Sequence, residues 1–178
     1  MWEIKSGTWY GWPDFSGQEP LKNDEEFKPP GENSVKPILS QYPDEPPRPS
    51  AILGVHSSSN GIDFSASPSF GYVGKAFIAQ FGDMAPGVGK VISPVGFKVV
   101  SVDVSNGIVE DFAVNKGKKN GPATWLKEGG LERPIDVKFD PTGNVLYIVD
   151  FGIMKTSEQG PESLKNTGVI FKITKEAK

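Results

Sequence analysis

An all-β fold is what this sequence predicts, on three observations. The chain of 178 residues holds 21 glycines, 16 prolines and 11% aromatic residues, a balance that suits many short strands joined by turns. Beyond Ser50, short β-branched and aromatic runs alternate with glycine or Asn-Gly turns, and no long window keeps i, i+3, i+4 apolar spacing free of glycine or proline. The third observation is an internal repeat with an offset of roughly 70 residues. Gly61-Ile62-Asp63-Phe64 matches Pro134-Ile135-Asp136-Val137, and Ala76-Phe77-Ile78-Ala79-Gln80-Phe81-Gly82 matches Leu146-Tyr147-Ile148-Val149-Asp150-Phe151-Gly152. Gly96-Phe97-Lys98-Val99-Val100 likewise matches Gly168-Val169-Ile170-Phe171-Lys172. Strands that recur in one order, split by turns, describe a propeller blade whose first strand lines a channel and whose last lies outside. The expected architecture is a partial β-propeller of about two to three four-stranded blades with a proline-rich loop insertion.

Residues 1–12 are expected to be the end of a leading blade. Residues 13–50 carry Pro13, Pro20, Pro29, Pro30, Pro37, Pro43, Pro46, Pro47 and Pro49. Proline fixes φ and lacks an N–H, so this stretch is neither a long helix nor a central strand. Phe15, Leu21, Phe27, Ile38, Leu39 and Tyr42 are spaced through it. A disordered tail has little use for them, so a loop lying on the domain surface is expected. Residues 51–178 should form two blades. Their strands are expected at Ile62–Ser65, Ala76–Phe81, Phe97–Val104 and Ile108–Val114, then Ile135–Phe139, Val145–Asp150 and Val169–Thr174. Asn106-Gly107 and Asp140-Pro141-Thr142-Gly143 read as tight turns. The second copy reaches Lys178 without a fourth strand, and two blades fall short of the roughly four that a ring needs.

Composition narrows the function. A net charge of −3 gives no basic surface excess for nucleic acid. The absence of cysteine removes disulfides, thiolate metal sites and cysteine nucleophiles together. Met1-Trp2-Glu3-Ile4-Lys5 has no apolar signal-peptide core, and no apolar run is long enough to span a bilayer.

Two stretches carry a family resemblance. One is Trp9-Tyr10-Gly11-Trp12-Pro13-Asp14 with Gly17 close behind; the other runs from Leu131 to Asp150 through Arg133-Pro134-Ile135-Asp136-Val137 and Asp140-Pro141-Thr142-Gly143. Together they resemble the C-terminal part of the glucose/sorbosone dehydrogenases, six-bladed propellers that use pyrroloquinoline quinone. The Tyr-Gly-Trp-Pro turn is the more specific signal. The Asp-Pro-x-Gly-x-x-Leu-Tyr pattern is shared by many propellers. The resemblance implies that Tyr10 stands near a bound calcium ion and that Arg133 contacts the quinone. A second arginine of the family would fall at Ile135. The family's catalytic base is a histidine upstream of the part matched, so this chain supplies no catalytic residue. A sugar would be the substrate of the assembled protein, and its place would be mostly outside the cytoplasm.

The remaining candidates follow from residue chemistry. His56 is the only histidine; it precedes a first strand, has a pKa suited to proton transfer, and is a second candidate for cofactor binding. The alternative is a loop histidine bonded to its serine neighbours. Arg133 offers a planar fork to carboxylates; its alternative is a salt bridge with Glu132 or Asp136. Asp63 and Asp136 occupy matching places in the repeats, which favours binding a neighbouring blade's backbone N–H groups. Asp14, Glu19 and Asp83 are weaker calcium candidates, since no Asp-x-Asp-x-Asp series exists. Residues 82–90 resemble a phosphate loop only superficially, because Met84 and Val91 occupy positions that need Gly and Ser or Thr. Lys116-Gly117-Lys118-Lys119 reads as a solvated turn, and Trp9, Trp12 and Trp125 as packing residues or a sugar-stacking surface. Two functions compete: a fragment or subunit of a quinoprotein sugar dehydrogenase, and a non-catalytic module. In the latter, blade edges recruit a second copy or a complementary propeller half. Trp2–Lys5 could also supply the missing outer strand.

Overall fold

The computed structural model describes residues 1–23, 28–39, 41, 45–84, 94–118, 121–157 and 159–176. Phe27, Tyr42, Pro43, Lys119 and the glycine-rich segment 85–91 lie outside the described residues. The chain divides into two units, Met1–Ser50 and Ala51–Lys178, and the boundary falls where the proline-rich composition ends.

In the first unit, residues 1–12 form no strand. A two-residue hairpin, β1 (Phe15–Ser16) with β2 (Glu19–Pro20), is followed by a 3-10 turn at Leu21–Asn23. Polar bonds hold the prolines in place where no backbone ladder can. The buried carboxylate of Asp14 accepts the amides of Ile38 at 2.6 Å and Leu39 at 2.7 Å. Trp2 Nε1 donates to the Pro47 carbonyl, and the Ser50 amide to the Met1 carbonyl. The proline-rich segment therefore has anchors of its own within this unit.

Among its described residues the second unit is all-β apart from one turn of helix, α1 (Ala123–Leu126), and a 3-10 turn at Lys116–Lys118. Its first sheet is a four-stranded antiparallel meander of β3 (Ser59–Phe64), β4 (Ala76–Gln80), β5 (Lys98–Val102) and β6 (Val109–Ala113). Its second sheet contains β7 (Pro134–Phe139), β8 (Val145–Asp150) and β11 (Val169–Thr174), in the order β11-β8-β7. A separate hairpin, β9 (Met154–Ser157) and β10 (Gly160–Ser163), is inserted between β8 and β11. Neither sheet closes on itself.

Aspartates set the two predicted turns. Asp103 Oδ1 accepts both the amide and the hydroxyl of Ser105, while Asp140 Oδ1 accepts the amides of Asn144 and Val145. The hydroxyls of Ser105 and Thr142 head the causes that hold these carboxyls below the ordinary aspartate range. Each turn keeps its bonds to the backbone local, as Asx turns do.

The core lies between the sheets. Phe77, Ala79 and Val99 of the first meet Val137, Leu146 and Ile148 of the second, with Phe70 and Leu131 filling the layer. Phe77 stands edge-on to Phe112 at 4.6 Å and to Phe139 at 5.4 Å. Burying each such side chain is worth about 1.5–3 kcal/mol.

Strand pairing corrects the alignment of the repeats. Ile62 and Val100 lie opposite Ile78, whereas Val137 and Phe171 lie opposite Ile148. Val137 is therefore the counterpart of Ile62, two residues from the sequence match. Phe171 is the counterpart of Val100, one residue away. Irregularities between Ser59 and Ile62 and between Pro134 and Asp136 absorb the first difference. Asp63 and Asp136 are thus not register equivalents: Asp63 corresponds to Lys138, since Phe77 and its counterpart Tyr147 face these two residues. Asp63 nevertheless binds the neighbouring sheet. Its Oδ2 accepts the Phe139 amide at 2.8 Å and pairs with Lys138 at 3.2 Å, while Oδ1 accepts its own neighbour Phe64. Asp136 Oδ1 accepts the adjacent Val137 amide.

Candidate functional site

The candidate site lies where β4 and β8 end and where the chain enters β3 and β7. Asp150, the last residue of β8, is buried and fixes the approach to β7. Its Oδ1 accepts the amides of Arg133 at 3.0 Å and Gly152 at 2.8 Å, and its Oδ2 accepts that of Glu132 at 2.8 Å. The Arg133 carbonyl in turn receives the Phe151 amide. On the first sheet, the carbonyls of Ser57 and Ser58 receive the amides of Gly82 and Phe81. Gly82, at φ 95°, has no room for a side chain, because a Cβ would lie 2.6 Å from the Phe97 ring.

Into this frame projects Arg133, only 1% exposed. Its guanidinium is sandwiched between Phe81 and Phe97, 4.8 Å and 4.9 Å from the ring centroids. Nη1 donates to the Asp83 carbonyl at 3.0 Å and, at the long limit of 3.4 Å, to that of Phe81. Nε and Nη2 are buried and have no hydrogen-bond partner among the described residues. Burial pulls the guanidinium below its ordinary pKa, against the opposing pull of the Asp83, Glu132 and Asp150 carboxylates. Neither salt bridge weighed from sequence forms. Glu132 spends its carboxylate on the amide and hydroxyl of Thr124, both at 2.9 Å, at the start of α1. Asp136 lies against Gly61 and accepts the Val137 amide instead.

The backbone is strained at this end. Phe97 has φ 59°, His56 φ 59° and Ser58 φ 49°, a left-handed region that costs non-glycine residues of order 1 kcal/mol or more. His56 is exposed and its imidazole makes no hydrogen bond among the described residues. The serines bond each other instead, Ser57 Oγ to Ser59 Oγ at 3.2 Å. The structure therefore brings the segment after His56 and the Arg133 side chain to one end of the unit, both through Phe81.

Tyr10 belongs to the first unit. Its hydroxyl donates to the Glu3 carbonyl at 2.8 Å and accepts the Lys5 amide at 2.7 Å, and its ring stands edge-on to Trp2. Among the described residues no three His, Asp or Glu side chains converge as metal ligands would. Asp14 is committed to two amides, and Asp83 Oδ2 accepts the Val95 amide at 2.7 Å. Trp9 Nε1 donates to the Trp12 carbonyl and its ring packs edge-on to Phe15, whereas Trp12 itself is exposed. Trp125 lies 5.9 Å from Phe97, next to the Arg133 sandwich.

Sequence reasoning passed over Phe81, Phe97 and Asp150. A signal existed, since a Phe-Gly pair ends the second strand of both repeats, at Phe81-Gly82 and Phe151-Gly152. The rings of Phe81 and Phe151 indeed pack at 5.7 Å. No family model, curated protein or solved structure matches the chain.

Proposed function

We propose that residues 51–178 are two adjacent blades of a larger β-propeller of the glucose/sorbosone dehydrogenase kind. Their part is to hold a carboxylate of the quinone cofactor on Arg133, with the catalytic base supplied elsewhere. The blade reading is supported by two meanders of one strand order, packed so that unlike faces meet. The observation that carries the site is the unfilled Nε–Nη2 edge of Arg133. A buried guanidinium is costly unless its donors are satisfied. That edge is the one a carboxylate fills with two parallel hydrogen bonds.

Pyrroloquinoline quinone fits this donor set, being flat and rich in carboxylates, and when bound it supplies the hydride acceptor that sugar oxidation requires. The chain's own contribution is positioning. Asp150 locks the Arg133 backbone, Phe81 and Phe97 flank the guanidinium and exclude water from its faces, and the strained segment after His56 bonds Phe81 at the same end. Tyr10 does not fit calcium in the same way. Its hydroxyl is engaged on both sides by backbone groups.

Equilibrium dialysis of pyrroloquinoline quinone and of its trimethyl ester against the chain and Arg133→Met tests this. Binding of the free acid should fall at least about tenfold in the variant and for the ester, the cost of losing one charge-assisted pair. Equal affinity in all four combinations would sink the assignment. Dye-linked aldose oxidation by the chain alone should be absent; turnover would place the base within these residues.

A further inference from the structure

The two sheets of the second unit differ at one edge. In the first, β5 is covered by β6, which pairs Val102 with Val109, Ser101 with Glu110 and Val100 with Asp111. In the second, β11 stands where β5 stands, yet among the described residues no strand pairs with its outer side. By register, Ile173, Lys172 and Phe171 occupy the places of Val102, Ser101 and Val100. Ile170 is 67% exposed and Val169 49% exposed along this edge. Unpaired N–H and C=O groups over six residues are a template for a further strand.

Two features say what kind of strand fits. At one end of the edge an apolar cavity of about 360 Å³ opens between β6 and β11, lined by Phe70, Tyr72, Phe112 and Ile173. A side chain placed opposite Ile173 points to the face that holds this cavity. The next position faces Lys172, which stands where Ser101 faces Glu110. The first sheet already uses acid-for-base pairing to hold its outer strand, through Lys98–Asp111 at 2.6 Å and Lys75–Glu110 at 2.7 Å. We propose that the β11 edge binds an extended acidic segment of a partner protein, added antiparallel, with an apolar residue opposite Ile173 and a carboxylate opposite Lys172. A second β11 is a poor occupant, since Val169–Thr174 contains no acidic residue to meet Lys172.

A labelled peptide copying residues 107–114 (GIVEDFAV) is the probe, followed by fluorescence anisotropy and by amide hydrogen exchange of the full chain. Saturable binding should come with slowed exchange at 169–174. Affinity should fall about tenfold when the peptide glutamate is made Lys, or with Lys172→Glu, and recover when both changes are combined. Four outcomes would overturn the proposal: no binding up to about 1 mM peptide, where less than about 4 kcal/mol is gained; protection on β5 or elsewhere instead of β11; no recovery on charge exchange; or protection of β11 by self-association without peptide, seen as a rise in light scattering with concentration.

Discussion

Arg133 and Asp63 show how single side chains are used in opposite ways. Arg133 keeps two buried donors without a partner among the described residues, so its stability contribution should be small or negative. Arg133→Met fills the space between Phe81 and Phe97 with a flexible apolar chain. Urea unfolding of this variant should show stability unchanged or raised by about 1 kcal/mol; a loss above about 2 kcal/mol would make the arginine a structural pin. Asp63 is fully employed, each oxygen accepting a different amide. Asparagine has one acceptor oxygen, so Asp63→Asn should cost about 1–2 kcal/mol in the same assay. Burial pushes the Asp63 carboxyl up, but the amides of Phe139 and Phe64 and the Lys138 ammonium outweigh it, and the net shift is downward. Its contribution is therefore complete above the unfolded value of about 3.9 and is lost as pH falls through the folded one. Unfolding followed from pH 7 to about pH 2 should show a loss in the wild type that the asparagine variant lacks in part. At this scale the sequence was partly legible. Arg133 could be singled out by its charge beside a first strand, whereas Phe81 and Phe97 looked like ordinary strand and loop residues. Their role depends on the closeness of Gly82 to the Phe97 ring, a tertiary fact that no local pattern carries.

Strands are where sequence and structure agree best. Val145–Asp150 and Val169–Thr174 have the expected bounds, and the other five lie within two or three residues of theirs. Alternation of β-branched and aromatic residues marks a strand locally; its partner residue does not, and there the repeat alignment slipped. The slip of two at the first strand kept every side chain on its face, but the slip of one at the third reversed them. The β9–β10 hairpin went unseen because Met154–Ser157 and Gly160–Ser163 are mostly polar and exposed, with little apolar alternation to betray them. Two elements can be broken by one change. Gly61 lets β3 lie against β7, since a Cβ there would fall 2.5 Å from the Cα of Asp136. Gly61→Ala should cost about 1–3 kcal/mol, read from the urea midpoint. Asn115 spans the connection between the sheets, donating to the carbonyls of Gly121 and Leu131 and accepting the Leu131 amide. Asn115→Leu should lose about 2 kcal/mol or more, because those buried backbone groups are left unpaired.

The whole chain is two units of unequal order of construction. Composition and the alternation of short strands with turns pointed to an all-β protein, and the sheets bear that out, while the number of blades is part of the proposed function. Residues 1–50 were hardest to read, because prolines give no periodicity and their anchors, Asp14 to Ile38 and Trp2 to Pro47, span long separations. Within the second unit, native-state hydrogen exchange should rank the elements by burial. The amides of β4 and β8, central in their sheets, should exchange last, and those of the β9–β10 hairpin first. An equal rate for both would show that the hairpin opens only together with the whole unit. The packing of those sheets has a further consequence. The face with Phe77 and Val99 on one meets the opposite face, with Val137 and Ile148, on the other. In the language of symmetry this is a heterologous contact, a head meeting a tail. Such a contact cannot satisfy itself in pairs as a two-fold interface does. Each repetition leaves one head and one tail exposed, until the rotation adds up to a full circle or an unlike surface caps the series.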